Sequence, residues 1–335
     1  MNDLHPGSPH PREVEAIAEA IRKAQRILVV THVSPDGDAI GSLLGLGWAL
    51  EGLGKEVILA CADPVPRHYR YLPGSGRIVQ APDPTGVDLV ISLDGSDRER
   101  MGAAYDADRL QGVPLANIDH HVTNVRFGTW NWVDPSKAST AQLVLDLVDH
   151  LGIPLDGQVA LCLLNGLVTD TLGFRTPNTG PGELAAAMRL MEAGASLRRV
   201  MHYAFNRRPF SSIRLWGLAL QTVHLDGRVI WAEVTQEMQR LAGGSDVSNG
   251  SLVNFLIAAE GADVAVVFTE KEDGRVEVGF RSVAGVDVSG VALSLGGGGH
   301  PQAAGCTLSG PLPEARERVL AALAQAIRDQ RPLDP

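Results

Sequence analysis

Acids and imidazoles follow directly on apolar, β-branched runs at several places in this chain. Ile27-Leu28-Val29-Val30 leads into Thr31, His32, Val33, Ser34, Pro35, Asp36, Gly37 and Asp38. A later run ends at Leu93 and is followed by Asp94, Gly95, Ser96 and Asp97. Another ends at Ile118 and is followed by Asp119, His120 and His121. The helix-like stretch 161–171 is apolar except at Asn165, Thr169, Asp170 and Thr171. An unpaired carboxylate at the end of such a stretch is costly, and a metal ion would be its partner. Two cations about 3.5–4 Å apart can activate a water and stabilise both oxygens of an in-line displacement at phosphorus. A ligand set of oxygen and imidazole without thiolate favours Mn2+, Fe2+ or Mg2+ over a structural zinc. Asp36 and Asp38 stand two apart across Gly37, which is expected to let the loop turn tightly.

Taken singly, each piece has a plainer reading. Asp36 and Asp38 read as turn and helix-capping residues. A His pair is usually packing or surface, and Asp170 could cap a helix end. The recurrence of acids and imidazoles at successive strand ends is what argues for chemistry.

The elements that position these residues alternate. Glu13 to Ala24 carries apolar residues on one face and reads as a helix. Strands are expected over 27–30, 57–60, 87–93 and 113–118, and helices over 38–53, 138–151 and 159–168. Strands alternating with helices imply an α/β fold, a doubly wound parallel sheet covered on both faces. Ligands of open parallel sheets bind outside the carboxyl ends of the strands, where these residues fall. A helical block spans about 182–205. After Arg207, Arg208 and Pro209 the texture changes, to strands over 229–234, 264–269 and 275–281 and helices over 252–259, 288–295 and 312–328. The expected organisation is a catalytic domain over 12–205, a linker over 206–222 and a smaller α/β domain over 223–330, with the active-site cleft between the domains.

Composition narrows the function. The 335 residues are 44% hydrophobic and 20% charged, a globular balance. No apolar run is long enough for a bilayer, and the first residues contain no apolar signal-peptide core, so a cytoplasmic protein with no membrane partner is expected. Cys61, Cys162 and Cys306 are sparse and in no metal-type spacing, so they read as small buried residues. The net charge of −10 argues against a broad duplex-binding surface but allows a short anionic substrate beside bound metal ions. Most basic residues are Arg, and most of these read as solvated surface charges.

The string Asp119-His120-His121 resembles the signature of the DHH phosphoesterase superfamily. His32 with Asp36-Gly37-Asp38, Asp94, and Asp170-Thr171 with Gly173-Phe174-Arg175 resemble its other motifs. Arg281-Ser282, Val288 and the run Gly296-Gly297-Gly298-Gly299-His300 resemble the DHHA1 substrate-binding domain. The resemblance spans about residues 12 to 328. It implies one metal held by His32, Asp36 and Asp94, and a second held by Asp38, Asp94, His120 and Asp170. It also implies that Asp119 supports the site and that His121 faces the scissile phosphate. Arg175, Arg281, Gly297, Gly298, Gly299 and His300 would bind substrate, the glycines by letting backbone N–H groups approach a phosphate. The implied activity is two-metal hydrolysis of short RNA or DNA oligonucleotides, including linear dinucleotides, to nucleoside 5′-monophosphates. Removal of the 3′-phosphate from 3′-phosphoadenosine 5′-phosphate goes with it. Mn2+ is the favoured ion, and a homodimer is compatible with the resemblance. The rivals are an inorganic pyrophosphatase, a processive single-strand DNA exonuclease and a non-catalytic nucleotide sensor.

Overall fold

The computed structural model describes residues 11–244, 249 and 252–329. By contacts the chain divides into two compact units, the first ending at Arg207 and the second beginning at Arg208.

The first unit contains α1 (Pro11–Lys23), β1 (Arg26–Val30), α2 (Gly37–Gly52), β2 (Glu56–Ala60), β3 (Leu89–Leu93), β4 (Leu115–Asp119), β5 (Trp130–Val133), α3 (Thr140–His150), α4 (Gly157–Asp170), α5 (Pro181–Glu192) and α6 (Leu197–Met201). A π-helical turn, His202–Asn206, closes it. The sheet order is β2-β1-β3-β4-β5, and every pairing is parallel. The winding therefore reverses between β1 and β3, the place where open sheets leave a crevice at the strand ends. β3 and β4 are buried at every position, as their unbroken apolar runs require when both faces are covered. Helices pack on one face, with Ile17, Ile40, Leu43, Val144 and Leu163 in the core. Met101, Ala104 and Leu110 from the segment after β3 cover the other. Ile17 is fully buried, and truncation to Ala would cost about 2–5 kcal/mol. β5 was not expected from the sequence. Its four residues form a short edge strand whose two tryptophans mask the usual aliphatic signal.

The second unit contains α7 (Phe210–Ala219), β6 (His224–Asp226), β7 (Val229–Val234), α8 (Gln236–Ala242), α9 (Leu252–Leu256), β8 (Val264–Glu270), β9 (Arg275–Ser282), α10 (Ser289–Ser294), β10 (Gly298–His300), β11 (Ala303–Ser309) and α11 (Leu312–Asp329). Its mixed sheet runs β10-β11-β9-β8-β7-β6, with only β7 and β8 parallel. Val276, Val278 and Phe280 alternate into one core with residues of α10 and α11. Ala265 and Val267 face a second core with α7 and α9. Little of 206–222 is free chain. Leu215 and Ala219 of α7 are buried in that second core, because the helix has its own apolar face. The three cysteines are free and buried. Among the described residues no helix is long and apolar enough to cross a membrane.

Candidate metal centre

The strand ends deliver their acids and imidazoles to one pocket. Asp36 starts α2 as its cap, its Oδ1 accepting from the backbone N of Asp38 and Ala39, each at 3.0 Å. The plain capping reading of Asp36 is therefore correct for one oxygen, while the other is left over by the cap. Gly37 serves close packing rather than a tight turn. A Cβ there would lie 2.3 Å from Thr169 Oγ1, so α2 and α4 could not approach and bring Asp38 beside Asp170.

Three ligand groups form. They are His32 with Asp36 and Asp94, Asp38 with His120 and Asp170, and Asp94 with His120 and His121, the ligand atoms of each lying within 4.8 Å of one another. Asp94 joins two of them. Its Oδ2 lies 3.5 Å from His32 Nε2 and its Oδ1 lies 3.6 Å from His120 Nε2, so its two oxygens face different imidazoles. His120 Nε2 is also 3.5 Å from Asp170 Oδ2. These separations exceed hydrogen-bond length. They suit co-ligands, since atoms about 2.1 Å from one ion stand roughly 3–3.5 Å apart.

The imidazoles are aimed from behind. His32 Nδ1 contacts Val33 O at 2.7 Å and His120 Nδ1 contacts Lys137 O at 3.3 Å. A ring N–H given to a carbonyl leaves Nε2 as the lone-pair nitrogen, the tautomer a ligand needs. Arg100 Nη2 also reaches His32 Nδ1, at 3.1 Å. That nitrogen cannot both donate to Val33 and accept from Arg100, and the shorter carbonyl contact decides for donation.

The acids are crowded. Burial and the Asp94 charge push Asp36 upward, and Asp38, fully enclosed and facing Asp94 and Asp170, is driven well above the carboxylate range. Burial and the Asp94 and Asp36 charges push Asp170 up to about 8. Burial also opposes the charge on Asp94, but contact with His32 and the charges of His120 and His121 outweigh it and hold Asp94 down at about 2. Burial lowers His32, yet Asp94 more than reverses this and its pKa rises. Three acids that resist ionisation around one that does not form a pocket short of positive charge. That donor chemistry fits divalent cations.

Asp119 is fully buried below the pocket. Its Oδ1 accepts from the backbone N of His120 at 2.8 Å and of His121 at 3.3 Å, and contacts His121 Nδ1 at 2.7 Å. This contact, against the cost of burial, raises His121 to about 9. Sequence reasoning missed three supporting residues. Asn124 donates to Asp119 Oδ2 at 2.6 Å and to Gly95 O at 3.0 Å. Thr140 donates from Oγ1 to Asp94 Oδ1 at 2.8 Å and from N to Asp38 Oδ2 at 2.6 Å. Asn165 donates to Gly37 O at 2.8 Å. The signal for Asn165 was its polarity inside an apolar helix; Asn124 and Thr140 carried none.

Backbone strain gathers here as well. Ser34, Asp94, Leu172 and Phe174 adopt φ of 53°, 61°, 50° and 65°; Asp94 is itself a candidate ligand, and the others lie close in sequence to His32, Asp36 or Asp170. Each costs on the order of 1–3 kcal/mol and persists only where surrounding structure imposes it.

The expected substrate residues are less gathered. Arg175 is exposed, and its Nε donates to Leu172 O in its own turn. Arg281 and His300 lie in one row of the second unit's sheet, each registered opposite Ala303 from its own side. The glycine run has a structural reason of its own. A Cβ on Gly297 would lie 2.1 Å from Gly305 O, and one on Gly299 2.5 Å from Ala303 O. Gly298 meets nothing within 4 Å and stays open.

Comparison with known proteins follows the same division. Residues 26–167 match the family model described as DHH family, N-terminal domain, and residues 236–329 match the DHHA1 domain. The chain is 40% identical, over 96% of its length and 97% of the relative's, to the bifunctional oligoribonuclease and PAP phosphatase NrnA of Thermus thermophilus. A crystal structure of an exopolyphosphatase-related protein from Bacteroides fragilis shares the fold at TM-score 0.86, 24% identity and coverage of 93% of this chain and 96% of that one. RecJ of Thermus thermophilus, solved with Mn2+, matches at TM-score 0.55 and 18% identity, over 99% of this chain and 56% of that chain. The chain belongs to the DHH family, its DHH domain followed by a DHHA1 domain.

Proposed function

We propose that the protein is a metal-dependent phosphodiesterase that hydrolyses short oligonucleotides to nucleoside 5′-monophosphates and removes the 3′-phosphate from 3′-phosphoadenosine 5′-phosphate. The observation that carries this is the pair of ligand groups joined through the two oxygens of Asp94. The near full-length likeness to a relative named for both activities supplies the substrate class. His32, Asp36 and Asp94 would hold one cation, and Asp38, Asp94, His120 and Asp170 the other, with Mn2+ favoured over Mg2+ and Fe2+. Such cations, when bound, polarise phosphoryl oxygens and make hydroxide available near neutral pH.

The chain's own residues do the rest. Asp119 fixes the His121 ring through Nδ1, which leaves Nε2 to face the substrate. There it sets positive charge against the phosphate and can pass a proton to the leaving oxygen. Thr140 holds Asp94 and Asp38 in register, so the carboxylates need not reorganise when substrate arrives. Arg281 and His300 flank the small Ala303, leaving a space where Arg281 could grip a terminal phosphate bidentately. Backbone N–H groups around Gly297, Gly298 and Gly299, and the exposed Arg175, complete the substrate contacts in this reading.

Product analysis tests it. The Mn2+-loaded protein is given a 5′-labelled RNA dinucleotide, a longer RNA, 3′-phosphoadenosine 5′-phosphate and pyrophosphate. Conversion of the dinucleotide to monophosphates, abolished by chelator, is the expected result. Phosphate release from pyrophosphate alone would overturn the substrate assignment.

A further inference from the structure

The first unit carries a basic, aromatic surface that hydrolysis at the metal centre does not use. In this acidic chain many arginines are paired with acids, as Arg22, Arg109 and Arg189 are. Arg67, Arg70, Arg199 and Arg207 are exposed, and none of them forms an ion pair among the described residues. Two of them rest on tyrosines instead. Tyr71 and Tyr203 stack with centroids 4.3 Å apart and planes 11° apart. The Arg199 guanidinium lies 5.5 Å from the Tyr71 centroid, and that of Arg207 lies 5.5 Å from the Tyr203 centroid. Arg199 is further fixed by a 3.2 Å bond from Nη2 to Tyr71 O. With their inner faces stacked, the two rings present their outer faces to the guanidiniums.

This array is wired to the metal centre. Tyr71 Oη donates to Asn165 Oδ1 at 2.8 Å, and Asn165 Nδ2 donates to Gly37 O, between Asp36 and Asp38. Arg67 opens the 3-10 turn Arg67–Tyr69, and Arg70 follows it. Buried Tyr69 between them lies close enough to the pocket that, after burial itself, the Asp36 and Asp170 charges raise its hydroxyl. That turn packs on the π-helical turn bearing Tyr203. The turn bearing Arg67 and Arg70 and the turn bearing Tyr203 thus form one basic stretch, tied to the Asp36–Asp38 loop through Tyr71 and Asn165.

Guanidiniums held against aromatic rings lose little entropy on gripping a phosphodiester, and a guanidinium plane can accept a stacked base. Cations interleaved with aromatics are how proteins hold single strands without reading sequence. We propose that the Arg199–Tyr71–Tyr203–Arg207 array binds a single-stranded oligonucleotide beyond the nucleotides at the metal centre, extending the same site from dinucleotides to longer strands. This rests on the hydrolytic reading above for its substrate class.

The test compares the wild type with the Arg199→Gln/Arg207→Gln double variant. The probe is a fluorescein-labelled single-stranded RNA octamer, bound in chelator so that no cleavage occurs. The double variant is expected to bind the octamer about 10–30-fold more weakly, with a log–log salt slope shallower by about 1.4 for two lost phosphate contacts. Its kcat and KM on the dinucleotide and on 3′-phosphoadenosine 5′-phosphate should stay within about twofold of wild type. Arg207→Lys should recover part of the salt slope. Unchanged octamer binding, or losses as large on the dinucleotide as on the octamer, would overturn the proposal; the second result would make the array a brace for the π-helical turn. Should the wild type cleave none of these substrates, the hydrolytic reading fails, while octamer binding still decides the array.

Discussion

In the first unit, charged side chains are packed into a pocket where Asp38 and Asp94 are almost fully buried. In the second, Arg281 and His300 stand on the side of the sheet away from the core that Val276, Val278 and Phe280 form with α10 and α11, Arg281 beside Ala265 of the other core and His300 exposed. The two regions meet charge in opposite ways. Buried carboxylates stay near one another only because rigid elements force them together and each finds donors. Asp38 alone accepts from Ser42, Thr140 and Ala141. Among the described residues the Arg281 guanidinium makes one hydrogen bond, 2.8 Å to Phe280 O, and burial lowers its pKa. The first region is built before the ligand comes, and its energetic deficit is one that cations relieve. Under the proposed function the second takes an anion, and it stores no comparable cost. The difference teaches which substitutions should abolish chemistry and which should only weaken binding.

The sharpest way to break the contrast is Asp94→Asn. It removes the charge that two of the three ligand groups share, so kcat should fall on the order of 10³-fold or more, from several lost kcal/mol of transition-state stabilisation. Calorimetry should show both Mn2+ sites weakened together. Loss of one site with the other intact would mean that Asp94 serves a single ion.

Removing a proposed substrate contact should look different. Arg281→Ala is expected to raise KM for a dinucleotide by about 10–100-fold, the worth of a charge-assisted bidentate contact, with Mn2+ affinity unchanged. A fall in metal affinity would erase the division between the regions.

Asn124→Ala sharpens the picture inside the pocket. It strips the 2.6 Å donor from Asp119 without touching a ligand. A loss of about 10–100-fold in kcat, with little change in KM, is expected for a partner that orients others. The His121 ring nitrogens, followed by NMR, should shift with it.

Much of this was legible because strand ends and motifs are local. His32, Asp36, Asp94 and His120 each follow an apolar run, and a parallel sheet sends such residues to one edge. What could not be read is what depends on distant partners. Asp36 caps α2 and also stands in a group that could hold a metal ion, and no local pattern says that one residue does both. Gly37 and Gly297 look like loop glycines in the sequence. Their purpose lies in Thr169 and in Gly305, which only the fold brings close. β10 and β11 went unseen for the same reason. Gly298 to His300 has almost no strand propensity, and its pairing is imposed by Ala303 to Gly305. The Arg199–Tyr71–Tyr203–Arg207 array joins segments more than a hundred residues apart, so its arginines read as ordinary surface charge.

The smallest expected effect concerns the metal-free protein and has a definite sign. Asp36, Asp38 and Asp170 have folded pKa values above the unfolded carboxylate value, Asp170 at about 8. The folded state then holds protons that the unfolded chain has lost, so their contribution is full below about pH 4 and is lost as pH rises through each folded value, which for Asp170 is about 8. His121, raised to about 9 from 6.5, adds stability that is full below 6.5 and lost as pH climbs through 9. Asp94, held at about 2, works the other way, its contribution full above about pH 4 and lost only as pH falls through 2. The chelated protein should therefore melt a few degrees lower at pH 8.5 than at pH 6, while the Mn2+-loaded protein should not. Loading at pH 7 should release on the order of one proton, read as a dependence of calorimetric heat on buffer ionisation. Parallel melting curves with and without metal, and no proton release, would mean that the carboxylates are already ionised in the empty pocket. The first unit would then tolerate its charge as easily as the second, and the contrast between them would fall.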